Sequence, residues 1–163
     1  GKSSVLTHLA PDFQTVSEPA RRVLADQRAT GGRGTGDQDP ALFVSLMLQQ
    51  AIEDQQSLRG VSGPAICDRG LPDLLAYTAY WQLPDGAIRT AIAAMPRPQT
   101  VFWFPPWQAI YTQDAERTLD FGGSDAFGAL VRGAYESLGF SLVEVPLAPI
   151  KDRAAFIRQR IGA

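Results

Sequence analysis

The opening run Gly1-Lys2-Ser3-Ser4 reproduces the closing positions of the pattern G-x-x-x-x-G-K-[ST]. In that pattern backbone N–H groups and a lysine ammonium cradle phosphates, and a hydroxyl ligates magnesium. Lys2 is therefore expected to reach terminal phosphates, Ser3 to hold Mg2+, and Gly1 through Ser4 to line a bound nucleotide such as ATP. A helix predicted to follow at once turns its positive N-terminal end on the same anion. The tripeptide alone is a weak signal, and its weight comes from the charged positions that follow it in order.

Asp68-Arg69-Gly70 stands at the carboxyl end of a predicted strand, where open parallel sheets gather their ligand-binding groups. Asp68 there can complete the magnesium shell or take a proton from an attacking hydroxyl. Arg69 can offer a bidentate fork to a phosphate or an anionic acceptor. The bland alternative is an Asp–Arg pair that caps a turn. Arg69 also occupies the position where hydrolytic P-loop ATPases usually carry a water-activating glutamate, which favours transfer over hydrolysis.

Glu18 ends an earlier strand, with Arg21 and Arg22 in the first turn of the helix behind Pro19. Cations there oppose the helix dipole and suggest an anionic neighbour. Glu18 can bind an acceptor hydroxyl or serve as the base; alternatively it favours the helix dipole and pairs with Arg22. Arg117, in a polar stretch after an apolar strand, suits a lid arginine that neutralises a transferring phosphoryl group, or else an exposed helix residue. The glycines from Gly31 to Gly36 have the wrong spacing for a second phosphate loop and read as a mobile cover over the acceptor site. His8 reads as a solvated or locally bonded helix residue and Cys67 as packing. Trp81, Trp103 and Trp107 read as core, with Trp107 a candidate to line the nucleotide site.

Positioning these groups requires strands that alternate with helices. Apolar periodicity and breakers predict helices over Ser3–Leu9, Pro19–Arg28, Ala41–Leu58, Leu71–Leu83, Asp85–Met95, Ser124–Leu138 and Lys151–Ile161, with a polar helical stretch at Gln113–Phe121. Strands are predicted at Phe13–Ser17, Pro64–Cys67, Thr100–Phe104 and Ser141–Val145, with Thr100–Phe104 the clearest buried strand. The class is α/β: a three-layer arrangement with a parallel sheet of about five strands and a helical lid. The first, central strand is expected to be missing from this chain, leaving Asp68 and Glu18 beside an empty slot.

The 163 residues suit one domain, and 45% apolar with 20% charged is an ordinary globular balance. A formal net charge of -2 gives no electrostatic case for nucleic acid or a membrane surface, so the expected partner is a small molecule. A single cysteine and a single histidine leave neither a disulfide nor a soft-ligand metal site, which fits a cytoplasmic setting.

The ordered run GKSSVLTHLA, VSEPARRVL, CDRGLPDLLAY, VFWFPPWQAIYTQDAERTLDF and LVEVP resembles the NadR-like group of P-loop ATPases and kinases. The resemblance spans essentially the whole chain. Its most specific parts are Cys67 to Asp73 and Pro105 to Arg117. It implies ATP and Mg2+ at Lys2 and Ser3, the charged strand-end motif at Asp68 and Arg69, the acidic residue of the second strand at Glu18, and a lid carrying Arg117. Thr118 stands where a second lid arginine is expected. The function implied is transfer of the γ-phosphate of ATP to a small, nucleoside-like hydroxyl compound; the alternative is an ATP-holding switch module that transfers nothing.

Overall fold

The computed structural model describes residues 2–98, 100–110 and 121–162. The chain runs through α1 (Lys2–Leu9), β1 (Gln14–Val16), α2 (Pro19–Thr30), α3 (Pro40–Ser57), β2 (Ala65–Cys67), α4 (Asp73–Trp81) and α5 (Gly86–Ala94). It continues through β3 (Val101–Trp103), a 3-10 turn (Gln108–Ile110), α6 (Phe121–Ser137), β4 (Leu142–Glu144) and α7 (Ile150–Ile161).

Helix boundaries follow local chemistry. Pro19 and Pro40 open α2 and α3, where a missing N–H costs nothing. Asp39 caps α3 by accepting from the Leu42 amide at 3.0 Å. Gly31 closes α2 in the left-handed region at φ 68°.

The sheet departs from expectation. Among the described residues the strands form two separate parallel pairs, β1 with β2 and β3 with β4, rather than one sheet of about five. Thr15 is in register with Ile66, and Phe102 with Val143. Each strand is three residues long. Val101–Trp103 is half-buried throughout, not the buried strand its sequence suggests, and among the described strands it pairs with β4 alone.

Both pairs nonetheless lean on one core. Ile66 of β2 and Phe102 of β3 pack against Val5 and Leu9 of α1 and Ala154 and Ile157 of α7. Arg158 of α7 ties the two terminal helices, donating to Asp12 Oδ2 at 2.6 Å and to the His8 carbonyl at 2.8 Å. A second core joins α2, α3, α4 and α5 around Phe43, Met47, Leu74 and Ile88. A third sets Val131 and Tyr135 of α6 against Ala76 of α4.

The glycine-rich segment is pinned rather than free. The Gly34 amide donates to Gln27 Oε1 at 2.9 Å, and Thr35 is 6% exposed. A Cβ at Gly36 would lie 2.8 Å from Trp81 Cζ2, so glycine here permits a close approach to the ring rather than mobility. No described helix is long and apolar enough to cross a membrane.

Candidate functional site

Parallel pairing brings the carboxyl ends of β1 and β2 to the same edge, where the Asp68 amide donates to the Val16 carbonyl at 2.7 Å. Glu18 and Asp68 therefore share one rim, as the sequence places them. The Lys2 ammonium, at the start of α1, crosses to this rim and donates to Asp68 Oδ1. Asp68 is 7% exposed, so its carboxylate is compensated mainly by this cation. Burial pushes the Lys2 pKa below the usual lysine value, and the charge of Arg69 pushes the same way; Asp68 and Glu18 oppose both.

Ser3 is exposed at the first turn of α1, where no acidic side chain blocks the helix end. Gly1 and Arg117 lie outside the described residues, as does most of the polar stretch assigned to the lid.

Arg69 does not pair with Asp68. Its Nη1 donates to Asp73 Oδ1 at 2.8 Å, and its Nε stands 3.8 Å from Glu18 Oε1. The turn-capping carboxylate is thus Asp73, which also accepts from the Gly70 amide at 2.9 Å. Burial opposes the Arg69 charge, but Asp73 and Glu18 outweigh it and hold the guanidinium firmly protonated. Arg69 is also one of two described non-glycine residues with positive φ, at 78°. Such a conformation persists where its surroundings over-determine it.

Glu18 pairs with Arg21 at 3.5 Å. Arg22, the partner expected from sequence, instead donates to Asp54 of α3, with Nη1 at 2.8 Å from Oδ1. Asp54 lies 32 positions away, and its own helix turns it inward, so sequence proximity to Glu18 did not decide the pairing. The anion that the basic first turn calls for is here partly internal.

Three further polar residues gather near the site without having been anticipated. Asp73 is 4% exposed and Tyr135 is 8% exposed; the tyrosine hydroxyl donates to Asp73 Oδ2 at 2.6 Å. Burial and the Asp73 carboxylate drive the Tyr135 pKa well up. Tyr77, stacked on Trp81 with ring centroids 5.5 Å apart, has its pKa pushed up to about 12, chiefly by burial. The spacing Arg69-x-x-x-Asp73 at the start of a helix was a usable signal for one of the three. Tyr135 had none, since 62 positions separate it from its partner.

Cys67 is half-buried, and burial raises its thiol pKa, as suits packing rather than nucleophilicity. Trp107 sits under the guanidinium of Arg153, 5.5 Å from ring centroid to Cζ.

The rim of Lys2, Arg69, Glu18, Asp68 and Asp73 holds two cations and three carboxylates. Arg21 on Glu18 brings the charges into balance, and the Asp68 carboxylate, the Lys2 ammonium and the Ser3 hydroxyl beside a helix N-terminus are the donor types that magnesium with a phosphate chain uses. The residues present fit that pair. A groove of about 350 Å³ between α4 and α6, lined by Thr78, Gln82, Arg89 and Leu130 among others, contains none of the five rim residues.

Compared with protein families, residues 1–153 match the family model described as AAA domain. No curated protein and no solved structure compared with the chain matches it.

Proposed function

We propose, from the premise that the chain belongs to the AAA domain family and so is a nucleotide-binding protein of the P-loop α/β fold, that it transfers the γ-phosphate of ATP to a small hydroxyl compound of nucleoside-like size. The observation that carries this reading is the convergence of Lys2, Asp68, Arg69 and Glu18, from three separated stretches of chain, on one rim.

The Lys2 ammonium donates to Asp68. A bound triphosphate offers it a stronger anion and frees the Asp68 carboxylate to join the metal shell or to accept the proton of the attacking hydroxyl. Ser3 and Asp68 would hold the magnesium ion, which when bound neutralises charge on the phosphate oxygens. Glu18 orients the acceptor hydroxyl or shares the base role. Arg69, fixed at one nitrogen by Asp73, presents the remaining donors of its fork to an anion.

A fifth parallel strand, seated between the two observed pairs, completes the sheet in this reading. Its support is that Ile66 and Phe102 pack on one core while no ladder joins their strands.

Calorimetry with ATP and Mg2+ tests the nucleotide site. Loss of the charge-assisted lysine contact in Lys2→Ala is expected to weaken binding by at least about tenfold. ADP release in a mixture of ribonucleosides then tests transfer. Stimulated release supports the kinase, tight binding without stimulation points to a switch module, and no binding in the wild type overturns the reading.

A further inference from the structure

We propose that Asp73 and Tyr135 are positioning residues for Arg69, so that α6, through one tyrosine hydroxyl, sets the direction of the guanidinium beside Glu18. The consequence for catalysis rests on the reading above; the geometry does not.

Asp73 is almost fully buried and its two oxygens divide the work. Oδ1 takes Arg69 Nη1 at 2.8 Å, while Oδ2 takes the Gly70 amide at 2.9 Å and the Tyr135 hydroxyl at 2.6 Å. A carboxylate that served only to cap the turn would be satisfied by the Gly70 amide. The second donor comes from another helix and prevents rotation of the carboxylate plane, which in turn fixes Nη1.

Arg69 is held at one corner and only loosely at Nε, 3.8 Å from Glu18. The Nε and Nη2 edge, the one that grips anions bidentately, therefore remains for a ligand. Backbone and side chain agree. The left-handed φ of 78° at Arg69 brings the Gly70 amide onto Asp73, and a Cβ at Gly70 would stand 3.1 Å from the Tyr135 hydroxyl, inside the latch.

The test uses Tyr135→Phe, which removes the hydroxyl and keeps the ring, with Asp73→Asn as a second lesion. Val131→Ala, on the same face of α6 and 2% exposed, serves as a purely structural control. Hydrogen exchange at the Arg69 Nε–H, followed by NMR, is expected to accelerate by about tenfold or more in Tyr135→Phe and Asp73→Asn and to hold steady in Val131→Ala. In Tyr135→Phe, ATP–Mg2+ affinity should stay within about twofold, while kcat for ribonucleoside-dependent ADP release falls about tenfold with a smaller change in KM.

Unchanged Arg69 exchange in both latch variants, or equal acceleration in Val131→Ala, would overturn the proposal. If the wild type releases no ADP with any ribonucleoside, the kinase reading fails while the Arg69 exchange still decides whether the latch positions the guanidinium.

Discussion

Arg153 is 5% exposed, stacks on Trp107, and among the described residues has no carboxylate partner; its Nε is buried without an acceptor. A cation–π contact contributes about 0.5–2 kcal/mol. A buried donor left unmade costs about 1–3 kcal/mol, and the charge itself is further penalised by desolvation. The costs outweigh the contact. Arg153→Met, which keeps the length of the stem, is therefore expected to leave stability unchanged or raise it by about 1 kcal/mol in urea titrations. A loss of more than about 2 kcal/mol would show that the ring contact outweighs desolvation. The Arg22–Asp54 pair is the contrasting case, since a less deeply buried arginine is there met by a bidentate carboxylate.

At the scale of elements, local chemistry was legible where it acts on neighbours in sequence. The predicted starts of α2 and α3 fall within one residue of those observed, and Asp39→Ala is expected to cost about 1 kcal/mol in thermal or urea unfolding through loss of the α3 cap. An effect below about 0.3 kcal/mol would mean that water replaces the cap without penalty. The rim of Glu18, Asp68 and Lys2 was legible for a related reason: strand ends in parallel order determine which residues share an edge. Pairings between distant elements were not. Whether β2 and β3 join is decided by what lies between them, and no periodicity within VFWFP or PAIC reports that. The partner of Arg22 and the arrival of Tyr135 at Asp73 depend in the same way on how α3 and α6 rotate about their axes when their apolar faces bury. The glycine run misled because composition alone reads glycine as freedom, whereas Gly34 and Gly36 are there to let backbone approach Leu46 and Trp81.

For the whole molecule, the division of the strands into two pairs means that each pair closes within its own stretch of chain, residues 14–67 for the first and 101–144 for the second. Between them runs side-chain packing, with Ile66 and Phe102 on the core shared with α1 and α7, rather than a backbone ladder among the described residues. Segments joined in that way can open in separate steps, because breaking one ladder does not unzip the other. Native-state amide exchange in low denaturant is expected to sort Thr15, Ile66 and their neighbours into one opening unit and Phe102, Val143 and theirs into another, with different free energies and different denaturant slopes. A single shared isotherm for all four strands would contradict this. If two units are found, opening of the first, whose strand ends lead into Glu18 and Asp68, would disrupt the proposed nucleotide rim while amides of the second still report a native state.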